Sequence, residues 1–263
     1  MLQQVKRYLQ RSRPVRLCYD LLRYLVVFPG FADDYRKFSA LHGNGKKRFP
    51  LRWRDREPCL NDRTATTDFD RHYVYQTAWA ARILAETRPA LHVDISSQLQ
   101  FCTLVSAFVP VQFYDYRPAD LRLSNLTSES ADLLALSFAD GSIESLSCMH
   151  VVEHIGLGRY GDPFDPDGDL KAMAELLRVL APGGDLLFVV PVGQPRIVFN
   201  AHRIYSSDQI LECFSGLVLR EFALVPDRAE DGGLIRNAPL EMSNRQEYGC
   251  GCFWFRKPDK LGR

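Results

Sequence analysis

From about residue 72 onward, the pattern of apolar and polar positions switches repeatedly between a helical period and a strand period. Apolar residues recur at helical spacing over residues 73–86, and a buried strand is predicted at 90–95. The alternation continues with a helix at 98–108 and a strand at 111–116. Strands that alternate with helices in this way are typical of an α/β domain with a mostly parallel sheet.

The second half of the domain repeats this alternation. Residues 143–149 are predicted to form a strand, and residues 169–180 have the clearest helical spacing in the chain, which ends before Pro182-Gly183-Gly184. The remaining predicted elements are a strand at 185–191, a helix at 206–214 and strands at 217–225 and 247–255. We therefore predict a Rossmann-like fold with helices on both faces of the sheet. The sheet has six strands, or seven if residues 126–133 form one.

The first 28 residues are basic and amphipathic. They hold six Lys and Arg residues and one acid, Asp20, which gives a local charge of +5. Pro14 argues against one unbroken helix. Three roles are open for this segment: packing on the main domain, packing on a second subunit, or peripheral contact with an anionic membrane surface. We predict a helical N-terminal extension and linker at residues 1–70 and a main domain at residues 71–263.

Composition and charge exclude several classes of protein. Hydrophobic residues make up 46% of the chain and charged residues 25%, as in ordinary globular proteins. Lys and Arg number 33 against 32 Asp and Glu, and this balance argues against a nucleic-acid partner. The seven cysteines are odd in number and scattered, which is typical of a reducing compartment. Because no stretch has the pattern of a signal peptide or a spanning helix, we expect a cytoplasmic protein.

The most distinctive part of the sequence lies within residues 131–192, where ADLLALSFADGSIESLSCMHVVEHI is followed by DGDLKAMAELLRVLAPGGDLLFVVPV. This stretch resembles the class I S-adenosylmethionine-dependent methyltransferases, and the resemblance covers about residues 72–257. The segment HVVEHIGLGRYGDP is similar to a branch of that family linked to surface-polysaccharide synthesis. The resemblance implies S-adenosylmethionine as cofactor and a small-molecule or glycan acceptor, with methyl transfer to an oxygen of a sugar or glycan precursor.

The expected cofactor site lies where the first two strands end. Ligands of open parallel sheets bind beyond the carboxyl ends of the strands, so Asp94, Ser96 and Ser97 are predicted to form the floor of the pocket. Asp115 ends the second strand 21 residues after Asp94, a position suited to accepting hydrogen bonds from the ribose hydroxyls. The resemblance places two further residues at the adenine: Asp132 near the amino group and Leu133 beside the ring.

The loop after the first strand departs from the family pattern. The family carries D-x-G-x-G there, because glycine tolerates a positive φ and lets the backbone approach the cofactor. This chain has Asp94-Ile95-Ser96-Ser97, and no glycine occurs between Gly45 and Gly141. A serine in a left-handed turn costs about 1 kcal/mol, which the fold tolerates. The serine hydroxyls can cap the next helix or meet the cofactor carboxylate; the alternative is an inactive binding or assembly protein.

His150, Glu153 and His154 follow the predicted fourth strand and are the candidate catalytic residues. Methyl transfer to a hydroxyl is an in-line displacement that a base assists, and an imidazole is suited to removing the hydroxyl proton. We predict either histidine as the base, with Glu153 orienting one of them. An alternative remains, because some O-methyltransferases of ubiquinone synthesis and small-RNA methylation hold a divalent cation with E-x-x-E-H at this place. In this alternative, His150 replaces the first acid and His202 is the possible fourth ligand. Our prediction is the base, and we therefore assign no metal ligand.

Two loops supply the predicted substrate contacts. Arg159 and Tyr160 lie in a glycine-rich loop suited to closing over a polar substrate. His202 and Arg203 follow the fifth strand, on the expected ligand side of the sheet. An arginine at such a place can bind a phosphate or carboxylate through two hydrogen bonds.

Overall fold

The structure is a computed structural model that describes residues 13–43, 48–60 and 62–259. The chain divides into two compact units, Met1–Asp68 and Phe69–Arg263. The first twelve residues, which belong to the predicted basic segment 1–28, lie outside the described residues.

The first unit contains one long helix, α1 (Arg13–Gly43), and a short 3-10 helix at Trp53–Asp55. Five apolar side chains in the first half of α1 are 60–79% exposed: Leu17, Leu21, Leu22, Leu25 and Val26. Within the described ranges, no helix has the length and apolar character needed to cross a membrane.

The second unit is built on a seven-stranded sheet. The strands of this sheet are β1 (His92–Ile95), β2 (Val111–Asp115), β3 (Leu126–Ser130), β4 (Ile143–Met149), β5 (Leu180–Val192), β8 (Val218–Val225) and β9 (Gly249–Arg256). Their order across the sheet is β3-β2-β1-β4-β5-β9-β8. The first five are parallel, and β9 runs antiparallel to both β5 and β8. A separate hairpin consists of β6 (Arg196–Val198) and β7 (His202–Ile204). The helices are α2 (Arg71–Thr87), α3 (Leu99–Val105), α4 (Gly168–Val179) and α5 (Ser207–Cys213), with 3-10 helices at Val152–His154, Ala229–Asp231 and Leu240–Arg245.

The predicted α/β architecture with a mostly parallel sheet is confirmed. The ambiguous segment forms β3, which makes seven strands in the main sheet. The predicted helix at 169–180 ends at Val179, and Leu180 instead begins β5 by pairing with Ile143. The hairpin of β6 and β7 was not predicted, because strands of three residues carry too few positions for a recognisable alternation.

Both faces of the sheet are buried, and β5 is accordingly apolar from Leu186 to Val192. In β5, Leu186, Phe188 and Val190 face the hydrophobic cluster that α4 and α5 cover. The intervening Leu187 and Val189 face the cluster that α2 and α3 cover. Side chains alternate between the faces of a strand, and a strand covered on both sides is therefore an unbroken apolar run.

A buried polar contact holds α2 against the sheet. The indole Nε1–H of Trp79, a residue 1% exposed, donates to Glu221 Oε1 in β8 over 3.0 Å. Arg236 completes the pairing, since its Nε–H donates to the same carboxylate oxygen over 2.9 Å. This anchor positions the first turn of α2 close to the carboxyl edge of the parallel strands, where His72 stacks on His150 with 5.4 Å between ring centroids.

Candidate functional site

A polar cleft of about 530 Å³ lies at the carboxyl edge of the parallel strands. Its lining comes from four parts of the chain: the start of α2, the segment after β4, the loop before β7 and the residue before β9. The lining residues are Asp70, His72, Tyr73, His150, Glu153, His154, Arg159, Asn200, Ala201, His202 and Tyr248. The structure thus brings the three predicted catalytic residues together with two of the predicted substrate contacts, Arg159 and His202.

His150 is held in a strained backbone conformation directly after β4. Its φ is +57°, in the left-handed region that residues with a Cβ seldom adopt. The backbone N–H of His150 donates to the Val189 carbonyl over 2.8 Å, which extends the pairing of β4 with β5 by one residue. The strain aims the imidazole at Glu153, whose Oε1 lies 2.7 Å from His150 Nδ1.

Glu153 is a buried carboxylate with two histidine neighbours. It is 1% exposed, and its Oε1 also lies 3.7 Å from His154 Nε2. Burial acts to raise the pKa of Glu153, but the charge and hydrogen bond of His150, together with His154, bring that pKa below its usual value. The carboxylate is therefore ionised at neutral pH and accepts the proton that His150 Nδ1 carries.

His154 has one ring nitrogen committed to the backbone. Its Nδ1 lies 2.5 Å from the Ala201 carbonyl oxygen, so Nδ1 carries the proton and donates it. The neutral ring then has its lone pair on Nε2. Burial lowers the pKa of His154, which keeps the imidazole neutral at neutral pH.

The remaining rings of the cleft form a stack. The ring of His72 packs on Tyr248 with 4.9 Å between centroids, and Tyr248 in turn packs on His202 with 4.8 Å. Burial, followed by the nearby His150, lowers the pKa of His72 to about 4. Burial also lowers the pKa of His202 and raises the pKa of Tyr73 and of Tyr248. These histidines are neutral and the tyrosines protonated at neutral pH, so the stack presents uncharged donors and acceptors.

The other two predicted substrate contacts are not part of the lining of the cleft, although the Tyr160 ring packs edge-on against His154 with 5.8 Å between centroids. Tyr160 is 47% exposed and packs between the guanidinium groups of Arg117 and Arg159, 5.0 and 5.1 Å from its ring centroid. Arg203 is buried, and its guanidinium donates to the Ile155 and Pro166 carbonyls over 2.6 and 3.1 Å. Arg203 is held away from the cleft because its guanidinium donates to the segment that leads into α4.

The loop after β1 adopts the turn that the family pattern requires. Ser96 has a φ of +56°, the left-handed conformation that glycine usually supplies. Its hydroxyl folds back to donate to the Tyr114 carbonyl over 3.2 Å. Ser97 Oγ accepts from the backbone N–H of Met149 over 3.0 Å, which ties this loop to the end of β4. Neither hydroxyl caps α3, whose N-cap residue is Gln98.

Asp94 belongs to a buried hydrogen-bond chain across β1 and β4. Its Oδ1 accepts from the Ser97 backbone N–H over 3.0 Å, and its Oδ2 accepts from the Ser147 hydroxyl. Since Ser147 donates to Asp94, it accepts from His92 Nε2–H, which lies 2.8 Å away. His92 Nδ1 then accepts from the Ser145 hydroxyl, also over 2.8 Å. Burial raises the pKa of Asp94 to about 6 and lowers the pKa of His92 to about 3.

The residues predicted at the ribose and the adenine lie at the ends of β2 and β3. Asp115 is half-buried, and its Oδ1 accepts from the Arg117 backbone N–H over 2.7 Å. Asp132 is exposed, and its Oδ1 accepts from the Leu134 N–H over 2.9 Å. Leu133 is 6% exposed and packs in the hydrophobic core. Their roles toward the cofactor stay predictions.

One buried amide on α2 has no hydrogen-bond partner in the part of the chain that the structure describes. Gln76 is fully buried, and neither its side-chain oxygen nor its nitrogen has a hydrogen-bond partner among the described residues. A buried amide without partners costs free energy, and such groups are usually matched by a ligand or water. Together with the left-handed turn at Ser96, this unmatched amide is compatible with a bound nucleoside cofactor.

The alternative metal set predicted from the sequence is not assembled. The rings of His154 and His202 lie 6.5 Å apart between centroids, and His154 Nδ1 is bound to the Ala201 carbonyl. In the described part of the chain, one group of three or more metal-ligating side chains has its donor atoms close together, and it consists of His72, His150 and Cys250.

Sequence reasoning missed Tyr248 and Cys250 at this edge of the sheet. Both lie around the start of β9, and β9 is antiparallel to its neighbours. The first residues of an antiparallel strand lie at the edge where the parallel strands end. That direction is the signal that identifies them, and it becomes visible only once the orientation of the last strand is known.

Solved structures of two methyltransferases are similar to this chain. The N-methyltransferase NodS of Bradyrhizobium japonicum WM9, in complex with S-adenosylhomocysteine, has a TM-score of 0.51 at 14% sequence identity, over 76% of this chain and 94% of that one. The class I methyltransferase fold is therefore the fold of this chain. The 1,6-didemethyltoxoflavin-N1-methyltransferase of Burkholderia thailandensis has the same fold, with a TM-score of 0.50 at 13% identity, over 70% of this chain and 79% of that one.

The match found by comparing sequences covers less of the chain than the match found by comparing structures. A family described as "Caenorhabditis protein of unknown function, DUF268" matches residues 132–224, which run from the end of β3 into β8. No curated protein matches the sequence. The methyltransferase fold is thus established by structure, and the matched segment contains most of the cleft.

The buried carboxyl group of Asp94 should make the free energy of unfolding depend on pH. Asp94 holds its proton more tightly in the folded state, with a pKa of about 6, than in the unfolded state, where 3.8 is usual. Its contribution to stability is therefore complete below about pH 4 and is lost as the pH rises through about 6. We expect the free energy of unfolding of Asp94→Asn, relative to the wild type, to increase by about 3 kcal/mol between about pH 4 and about pH 7 in urea titrations.

His92→Gln is the matched control with the opposite sign. The folded-state pKa of His92 is about 3, below the usual 6.5, so its contribution to stability is present above about pH 6.5 and is lost as the pH falls. The free energy of unfolding of His92→Gln, relative to the wild type, should therefore increase toward low pH. Parallel pH profiles for the two variants would contradict the assigned protonation of this chain.

Proposed function

We propose that the chain is an S-adenosylmethionine-dependent methyltransferase that methylates an oxygen of a sugar or glycan precursor. One contact supports this proposal above the others, the hydrogen bond from the Met149 N–H to Ser97 Oγ. It joins the loop where this fold binds its cofactor to the residue directly before His150 in the cleft. This hydrogen bond holds the cofactor loop beside the start of the segment that carries the candidate bases His150 and His154, and methyl transfer requires the cofactor and the base to be close.

The chain has residues suited to each part of the cofactor. Asp115, half-buried at the end of β2, would accept from the ribose hydroxyls. Asp132, exposed just after β3, would accept from the adenine amino group. The turn at Ser96 and Ser97 would hold the amino-acid portion. When bound, S-adenosylmethionine supplies an electrophilic methyl group on a sulfonium.

His154 is the residue best placed to accept the proton of the acceptor hydroxyl. Its Nδ1–H is fixed on the Ala201 carbonyl, so Nε2 is the basic atom. Burial lowers the pKa of His154, which keeps Nε2 free of a proton at neutral pH. The Glu153 carboxylate, 3.7 Å from His154 Nε2, stabilises the imidazolium that forms when the proton arrives.

The lining of the cleft supports a hydroxylated acceptor. Tyr73, Tyr248 and Asn200 offer neutral hydrogen-bonding groups, and the tyrosine and histidine rings offer flat apolar faces. A volume of about 530 Å³ suits a small molecule of one or two rings. Arg159 adds one positive charge, which suits an acceptor that carries a phosphate or carboxylate.

Cofactor binding is the first test. Titration calorimetry with S-adenosylhomocysteine should give one site per chain, and Asp115→Asn should weaken the affinity about tenfold or more, because the charge-assisted hydrogen bonds to the ribose are lost. Asp120→Asn is the matched control: this carboxylate is exposed in the same loop, and its removal should leave the affinity unchanged.

A wild-type protein that binds neither S-adenosylhomocysteine nor S-adenosylmethionine at millimolar concentration would support the alternative, an inactive binding or assembly protein of the same fold. A wild type that binds while Asp115→Asn is unaffected would instead remove Asp115 from the site.

Turnover tests the role of His154. With a panel of sugars and nucleotide sugars as acceptors, we expect His154→Gln to lower kcat by about 10²–10⁴-fold at unchanged affinity for S-adenosylhomocysteine. Because burial lowers the pKa of His154, the wild-type rate should persist below pH 6.5 and decline only in more acid solution. A His154→Gln rate within a few-fold of the wild type would exclude His154 as the base.

We also propose that residues 1–28 make peripheral contact with an anionic membrane surface on the cytoplasmic side. The basic charge of this segment and the exposed row of apolar side chains on α1 support the contact. Sedimentation with vesicles containing phosphatidylserine should retain the full chain at low salt and release it at high salt.

The double variant Leu21→Gln/Leu25→Gln should lose most of the vesicle binding, because both side chains are apolar and exposed within this segment. Leu41→Gln serves as the control, since Leu41 is equally exposed on α1 but lies beyond residue 28. Equal binding by the double variant and the control would contradict the membrane contact.

A further inference from the structure

We propose that His72, His150 and Cys250 form a binding site for a thiophilic divalent transition-metal ion, with Zn²⁺ as the reference ion. One donor atom from each residue, two ring nitrogens and the thiol sulfur, lies within 4.8 Å of the other two. The three residues come from the start of α2, the end of β4 and the start of β9, so only the folded chain assembles them. Metal binding at these three residues does not require that the chain catalyse methyl transfer.

The orientation of His150 is the strongest argument for this site. Its Nδ1 lies 2.7 Å from the buried Glu153 carboxylate, so in the neutral ring, the form that binds a metal ion, Nδ1 carries the proton and Nε2 has the lone pair. Nε2 is itself buried and has no hydrogen-bond partner among the described residues. Metal-bound histidines are typically oriented in this way, by a carboxylate on one ring nitrogen that leaves the other for the metal.

Cys250 supplies a soft ligand that the chemistry described above does not use. The residue is fully buried in β9, and burial raises the pKa of its thiol well above the usual value. A metal ion displaces the thiol proton and stabilises the thiolate. The thiolate and the Glu153 carboxylate together would balance the two positive charges of the ion, while both histidines bind as neutral rings.

The ligand set determines which ions fit. Two imidazole nitrogens and a thiolate favour Zn²⁺ and related transition metals, whereas Mg²⁺ and Ca²⁺ prefer oxygen ligands. Zinc bonds are about 2.0–2.1 Å to nitrogen and about 2.3 Å to sulfur. Because the rings of His72 and His150 stack nearly parallel, one ring must rotate out of the stack for both nitrogens to reach the ion. His72 and His150 also line the cleft, whereas Cys250 is fully buried and is not part of the lining. Three protein ligands would therefore leave a fourth position facing the cleft, as in catalytic zinc sites.

The experiment is a metal titration of the full chain after removal of metal with a chelator. Co²⁺ should bind at one ion per chain and produce a thiolate-to-cobalt charge-transfer band in the near ultraviolet, and Zn²⁺ should displace it. Mg²⁺ should not compete. Cys250→Ser should abolish the band, and His72→Ala should weaken Zn²⁺ binding about tenfold or more. Glu153→Gln should weaken it about 10–100-fold, because the carboxylate orients His150.

Two control variants match the ligands in residue type and position. Cys252→Ser removes the buried thiol 3.8 Å from Cys250 Sγ, and His202→Ala removes a histidine of the same cleft. Both should keep the band and the affinity for Zn²⁺. Loss of the band in Cys252→Ser but not in Cys250→Ser, or binding that His72→Ala leaves unchanged, would overturn the assignment.

X-ray absorption at the zinc edge of the wild-type complex tests the site without any variant. A shell with one sulfur and two imidazole nitrogens is expected. A shell without sulfur, or the absence of Zn²⁺ binding at micromolar concentration, would overturn the proposal even if Cys250→Ser failed to fold.

Discussion

Where β1 and β4 end side by side, hydrogen bonds join the two strands through side chains rather than through the sheet alone. Ser97 accepts from the Met149 N–H, and Ser147 donates to Asp94 inside the sheet. These contacts hold the loop after β1 against the segment that begins with His150. The position of the cleft depends on them, because a loop free to move away from β4 would separate the cofactor side from the histidines.

The cleft is organised around a charge that the fold buries at a cost. Glu153 is 1% exposed, and a carboxylate in such a place is stable only when paired. His150 provides the hydrogen bond and His154 lies nearby, and the strained φ of His150 is the backbone cost of that pairing. The same burial keeps His72 and His154 neutral, since it lowers the pKa of each. Neutral imidazoles are the form that accepts protons or binds metal ions.

Much of the fold was predictable, and the errors have identifiable causes. Burial on both faces makes β5 an unbroken apolar run, and the alternating elements around it predicted the sheet. The hairpin of β6 and β7 was missed, because strands of three residues are too short to show the alternation of apolar and polar positions. In the site, His150, Glu153 and His154 were predicted as a group from their place after a strand. Arg203 was expected in the same cleft, but the folded chain uses its guanidinium for backbone carbonyls.

By itself, the sequence determined the order of the helices and of the strands of the main sheet, the loop without glycine after β1, and the grouping of His150 with Glu153 and His154. These are local properties, since spacing and residue type within a few positions decide them. The tertiary structure alone decided that Tyr248 and Cys250 join His72 at the edge of the sheet. The physical reason is that β9 runs antiparallel to its neighbours, which returns its first residues to the edge where the parallel strands end.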